Sequence, residues 1–452
     1  MTIKPNEPHI LRRFLHSLHM FGFLSLPNFY QDPRKTQWHR YYSNVVVTIL
    51  FLHNVSTTSA LFVYCVHDLG DFFEKVFEGL VCVICAADVF YLRWNLAQFL
   101  TLLDSFEEFA LRHARNPTLV SLKRREKNVL RLVRVVMALS VIGLNLLPLL
   151  PKSPQELARL QRIYKHKYPQ NTFSVPLYIP YIDTSEPTVY AILYVLTAFC
   201  GFLYYSTLTM TAVVFSFLVF DLKAYAEVAS ALVLLLGQEH RDPQGRLIFY
   251  TNLVHNEYIL RDIGNYVDPN DDSSDDFNLR EEIKAIRYVF VHNPQVYEYY
   301  YFRQVIRLEK RLRLMREMLD DYYVSSLSIR APIGLLMILT SMYGSLAHEL
   351  LSTPKRIKTG CECIILLCAY FGYFFCGEML VLCHVGSATW FSHWHKCSLR
   401  TKRGLLMLMR MSQKIKDMTL FPPLKLRYNV MLSVFRASYS FFHLMNIRRA
   451  IK

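Results

Sequence analysis

The sequence predicts an all-α polytopic membrane protein with seven transmembrane helices, a cytosolic N-terminus and helices extended into a cytosolic anchor domain. Three observations carry this. Hydrophobic residues fill 52% of the 452 positions and charged residues only 19%, with a mean hydropathy of +0.18, too apolar for an ordinary soluble enzyme. The apolar residues gather in runs long enough to cross about 30 Å of hydrocarbon. The basic residues behind the net charge of +15 sit mainly between those runs, which assigns the charge to membrane orientation and not to nucleic acid. Most of the ten cysteines, among them Cys65, Cys200, Cys363 and Cys376, lie inside apolar runs, against both a disulfide framework and a zinc site. Cys82 and Cys85 form a C-x-x-C pair that reads as two small apolar residues on a membrane helix.

Taken in order, residues 1–42 carry Arg12, Arg13, Arg34, Lys35 and Arg40 without the compact apolar core of a cleavable signal, and precede the first apolar run, 44–66. The turn His67-Asp68-Leu69-Gly70-Asp71 lacks Lys and Arg, as an outer turn should. The second run, 72–96, contains Asp88 and Arg93, expected to reach the cytosolic interface by snorkelling. A basic cytosolic connector, 98–127, leads to the third run, 129–150, and 151–188 forms an outer loop. The apolar block 189–236 exceeds one span of about 20 residues, so a membrane helix over 189–220 is expected to continue into the cytosol. Residues 237–320 are soluble in character, with an acidic, disordered patch at 268–276. Val305, Leu308, Leu312, Met315 and Leu319 recur there at the spacing of an amphipathic helix. Arg330 and Pro332 open a short fifth run, 331–347; the sixth, 361–384, places Tyr370 and Tyr373 on one face. His393 and His395 are one residue apart and share no helical face, which rejects a metal site. The run 405–411 is too short to span. The resulting organisation is an N-terminal segment 1–42, transmembrane helices 1–4 over 43–221, a cytosolic loop and anchor helices over 222–320, helices 5–6 over 321–388, an anchor segment with a short helix over 389–420, and a final helix over 421–452.

That final stretch is the most distinctive. Ser438, Ser440, His443 and Asn446 stand among aromatic residues in a segment long enough to cross a bilayer. Polar groups inside such a segment face protein or water, so the helix either lines an aqueous path or packs through small interface residues. The tyrosine pair carries the same alternative, a ligand pocket or packing. The chain has no Ser-His-Asp order, no Gly-rich phosphate loop and no carboxylate pair within a span, so it offers no catalytic residues and implies no cofactor.

The C-terminal segments FFCGEMLVLCHVGSATWFSHWHK, KRGLLMLMRMSQK and FRASYSFFHLM resemble, in that order, landmarks of the insect odorant receptors: a Cys-x-Gly-like turn, a Trp, a short intracellular helix and a Ser-Tyr-Ser-aromatic-Phe signature. The resemblance implies a ligand-gated, non-selective cation channel assembled as a tetramer around the last helix. It assigns the gate constriction to Phe442 and Asn446, with Ser438 and Met445 beside it. Asn446 departs from the apolar residue expected there, and a polar ring closes less readily by dewetting. That favours a heterotetramer with a co-receptor subunit that supplies the seal. The resemblance also implies an odorant pocket in the outer half of the membrane domain, with Tyr370 and Tyr373 on helix six and Ser140, Gly143 and Leu147 on helix three. Phe77, Leu80, Val81 and Ile84 on helix two and Tyr194, Thr197 and Gly201 on helix four are added by depth alone. The implied partners are a volatile organic ligand, membrane lipid and permeating cations, with no nucleic acid, at the plasma membrane of olfactory sensory neurons. The rivals are a gustatory receptor channel of the same superfamily and a secondary transporter, for which no internal repeat is found. A G-protein-coupled receptor would need an outside N-terminus.

Overall fold

Proline sets where several helices begin, because a first-turn position has no helical use for its missing N–H. The computed structural model describes residues 10–27, 29–114, 116–242, 244–261, 277–346, 353–383, 385–413, 417–421 and 424–450. Helix α1 (Ile10–Met20) buries Leu11, Leu15 and Leu18 along one stripe. Helix α2 (Pro33–Val63) starts on proline, with Asp32 accepting the Arg34 amide at 2.9 Å. Helices α3 (Leu69–Trp94) and α4 (Leu96–Arg112) are nearly continuous, and α5 (Pro117–Leu146) follows with Asn116 accepting the Thr118 amide at 3.0 Å. The connector expected at 98–127 is therefore largely helical. In the outer loop, α6 (Pro154–Tyr164) is opened by Ser153, whose Oγ accepts the Glu156 amide, and closed by Lys165 at φ 55°.

Helix α7 (Pro187–Leu234) is one element of 48 residues, about 72 Å at 1.5 Å per residue and far longer than a bilayer core needs. After it, β1 (His240–Arg241), β2 (Leu247–Asn252) and β3 (Glu257–Leu260) form an antiparallel sheet in which Ile248 stands opposite both His240 and Leu260. This sheet is a local departure from the all-α expectation. LIFYTN and EYIL are rich in strand-forming residues around a tight turn, and Phe249 packs on Tyr297 at 4.6 Å between ring centres. The acidic patch at 268–276 lies outside the described residues.

Helix α8 (Phe277–His292) leads to α9 (Pro294–Leu346), where the expected amphipathic helix and fifth span are one helix of 53 residues with Pro332 inside it. Then come α10 (Thr353–Val381), α11 (Gly386–Phe391) and α12 (Leu399–Gln413), the last containing the apolar run 405–411. A hairpin of β4 (Thr419–Phe421) and β5 (Leu424–Lys425) precedes α13 (Tyr428–Ala450). Asp417 ties this hairpin to the start of α13, binding Lys425 and Arg427 at 2.9 Å each. Gly377 makes no turn; it lies inside α10, where a Cβ would come within 2.2 Å of the Leu426 carbonyl. Its role is close approach between α10 and the segment that feeds α13.

The core runs along α7 and α9. Tyr225 of α7 donates to the Phe106 carbonyl at 3.0 Å and Tyr301 of α9 to the Leu232 carbonyl at 2.7 Å, both fully buried. Four helices are long and apolar enough to cross a membrane among the described residues, within Pro33–Val63, Pro187–Leu234, Pro294–Met342 and Lys358–Phe391. Helices α3, α5 and α13, with 26, 30 and 23 residues, coincide with the second, third and last of the apolar runs.

Candidate functional site

The outer part of α3 carries Phe77, Leu80, Val81 and Ile84 at spacings of three and four, which puts them on one helix face. With Met337 and Ile333 of α9 and Leu366 of α10 they form a small apolar cluster beside the main core, which Val81 also touches. Phe77, Ile84 and Met337 are buried, and the others are half-buried around them. Toward the outer end a charged group crosses the same three-helix region. Glu78 binds Lys75 at 2.9 Å and also Lys358 of α10, while Lys75 donates to the Ser174 carbonyl of the outer loop at 3.0 Å. All four helix-two candidates thus share one cluster, and sequence reasoning missed its partners Ile333, Met337 and Leu366. Their apolar spacing on α9 and α10 was visible, but which helices meet α3 was not.

Tyr370 and Tyr373 stand edge to face, with ring centres 6.4 Å apart. The Tyr370 hydroxyl donates to the Arg330 carbonyl at 2.8 Å and lies 3.2 Å from that of Ala331. It reaches them because Gly334 has no side chain: a Cβ there would sit 1.5 Å from the hydroxyl. Tyr373 meets Phe215 of α7, centroid to centroid at 5.8 Å. The tyrosine pair therefore joins α10 to α9 and α7.

The remaining candidates lie on α5 and α7. Tyr194 donates to the Asn145 carbonyl, linking the two helices. Ser140 is half-buried, and Gly143 and Gly201 each face open space where a Cβ would go. Thr197 is 5% exposed and its hydroxyl has no partner among the described residues. Leu147 stands in the 3-10 turn Leu147–Leu149, and its side chain is outside the described part. Among the described residues no hydrogen bond or ring contact joins this α5–α7 group to the α3–α9–α10 cluster.

Deeper in the bundle, Asp88 and Arg330 pair instead of reaching an interface. Arg330 donates to Asp88 from Nε at 2.7 Å and Nη2 at 2.6 Å, and Thr211 of α7 adds a bond at 3.2 Å. Both partners are buried. They line a cavity of about 30 Å³ with Thr211, Ser326, Tyr91 and Tyr322. That is room for one or two waters and far too little for an organic molecule. The expected snorkelling of Asp88 fails because α9 brings a guanidinium to the same depth.

On α13, Ser438 is 2% exposed, turned to the packed side, and donates to the Val434 carbonyl at 2.9 Å. The side chains of Phe442, Met445 and Asn446 lie outside the described part. The opposite face is exposed at Asn429, Ser433, Arg436, Ser440 and His443, a polar stripe at alternating spacings of four and three.

A bundle of helices too long for the bilayer alone, carrying an outer apolar cluster and a final helix with a polar exposed face, defines a polytopic helical membrane protein with a sizeable domain beyond the membrane. No family model and no curated protein sequence matches this chain. Among solved structures, the insect olfactory receptor OR5 from Machilis hrabei superposes with a TM-score of 0.65 at 10% identity, covering 96% of this chain and 98% of that one. The same receptor in complex with eugenol gives a TM-score of 0.68 at 10% identity, covering 96% of each chain. The chain has the insect olfactory receptor fold over essentially its whole length.

Proposed function

We propose that this chain is an odour-recognising subunit of a ligand-gated cation channel, crossing the plasma membrane of an olfactory neuron seven times and assembling with a co-receptor subunit into a heterotetramer. The likeness to an olfactory receptor solved with eugenol, spanning 96% of both chains, is the observation that carries the reading. The chemistry of the outer cluster supports it. A volatile ligand has few polar handles and binds chiefly by burying apolar surface, at about 25 cal/mol per Å². Phe77, Ile84, Met337 and Leu366 supply aliphatic and aromatic surface, with the phenol rings of Tyr370 and Tyr373 along α10. A ligand that binds the open arrangement better than the closed one shifts the channel toward opening. Helix α13 is the pore helix in this reading.

Co-expression with an odorant co-receptor subunit tests it. Application of a broad panel of volatiles should evoke cation currents that need both chains. Silence across the panel from well-expressed, surface-delivered protein would overturn the assignment.

A further inference from the structure

The apolar faces that meet in the outer cluster run into charge at both ends. On α3 the face of Phe77, Val81 and Ile84 continues at the same spacing to Asp88, and on α9 the face of Met337 and Ile333 continues to Arg330. On α10 the face of Leu366 continues to Tyr370 and Tyr373, and Tyr373 stands beside the Arg330 guanidinium. Glu78, bound to Lys75 and Lys358, closes the other end. Glu78 and Asp88 are ten residues apart on α3, about 15 Å along its axis. The cluster is thus an apolar seam of fixed length between two charged groups.

The inner group has an unused capacity, and it is a donor. Asp88 is filled: Oδ1 accepts from Arg330, and Oδ2 accepts from the Thr211 hydroxyl at 3.2 Å. Arg330 is 9% exposed, and its Nη1 is buried without a hydrogen-bond partner among the described residues. A buried guanidinium N–H left unmet costs free energy, and an incoming acceptor recovers it. Arg330 also lines the cavity of about 30 Å³, which has room for an oxygen atom though not for the molecule that carries it.

We infer that Arg330 determines the specificity of the odour site, donating from Nη1 to an acceptor oxygen at one end of an otherwise apolar volatile, a ketone or an ester. The inference rests on the odour-receptor reading and deepens it. A hydrocarbon of the same shape fills the seam but leaves the donor unmet, and a protonated amine brings a second positive charge to it. A site built around a hydrogen bond rejects the analogue lacking it far more strongly than a site built on shape alone.

Cells expressing the full chain with a co-receptor subunit read this as current. The panel is straight-chain methyl ketones, methyl esters, primary amines, and the alkenes in which a methylene replaces the ketone oxygen. Half-maximal concentrations for the ketones should lie roughly tenfold or more below those for the matching alkenes, the step expected of one hydrogen bond to a charged group. Arg330→Met with Asp88→Leu, which strands no charge, should erase that preference while responses to the alkenes persist. Alkenes or amines as potent as the ketones, or a ketone preference that survives the double substitution, would overturn the inference and leave the receptor reading standing. Silence across the whole panel from surface-delivered protein would remove the receptor reading and this inference with it. If the double variant does not reach the surface, infrared spectra of the unsubstituted chain in detergent decide. The carbonyl stretch of a bound, isotope-labelled ketone should fall below its frequency in empty micelles, and an unshifted band would overturn the assignment.

Discussion

Gly334 decides how closely α9 and α10 meet, since the Tyr370 hydroxyl occupies the space a side chain would take. Gly334→Ala should therefore destabilise the protein by about 1–3 kcal/mol, as overpacking does. Gly334→Ala combined with Tyr370→Ala should recover part of that loss, and thermal unfolding of the detergent-solubilised single and double variants measures it. Additive losses would mean that the two residues do not share the space. Tyr373 has a different test. In cells co-expressing the co-receptor, Tyr373→Ala should shift odour dose-response curves while surface delivery stays normal, and unchanged curves would remove it from the ligand site. Thr197 carries a buried hydroxyl without a partner among the described residues. Thr197→Val should lower sensitivity only to volatiles with a polar handle, a selectivity read from the same dose-response curves. The tyrosine pair was legible from a spacing of three on an apolar run. The contact of Tyr370 with the α9 backbone was not, because it depends on Gly334, far away in the sequence, in a helix whose neighbours no local pattern names.

Between elements, the ion pair of Asp88 and Arg330 fastens α3 to α9 where α7 adds Thr211. Removing one partner of a buried pair strands the other charge and costs about 3–5 kcal/mol, whereas replacing both with apolar residues of similar volume is often neutral. Arg330→Met alone should accordingly lower the unfolding temperature sharply, and Arg330→Met with Asp88→Leu should restore most of it. A double variant as unstable as the single would mean that the pair holds water or position that apolar groups cannot replace. Each charge was conspicuous in the sequence, one inside the second apolar run and one at the start of the fifth. Their pairing was hidden because it spans 242 positions. Helix existence was legible from apolar runs and from proline and cap residues at helix starts. The cytosolic extensions of α7 and α9 were legible only in outline, and the small sheet escaped a reading tuned to long runs.

In the molecule as a whole, the domain beyond the membrane buries three of its histidines, His19, His113 and His240. Burial pushes the imidazoles of His19, His113 and His240 down to about 4 from an ordinary value near 6.5. Unfolding exposes them to their ordinary value, so the unfolded chain binds more protons between about pH 6.5 and pH 4. The stability from keeping them neutral is present above pH 6.5 and is lost as pH falls toward 4. His240, which shares a hydrogen bond of 2.6 Å with Tyr297 and is 4% exposed, should contribute visibly. The unfolding temperature in detergent should fall over this window, and His240→Gln should flatten part of the slope; an unaltered slope would assign it elsewhere. The length of α9 has a mechanical consequence. A helix of 53 residues has a contour of about 80 Å, and it passes from Met337 in the outer apolar cluster down to the Tyr297 and Tyr301 packing around the sheet. A tilt of about 2° about its end in the outer cluster displaces the other end by about 3 Å over that contour. Small movements beside the outer cluster thus become shifts the size of a side chain in the domain below.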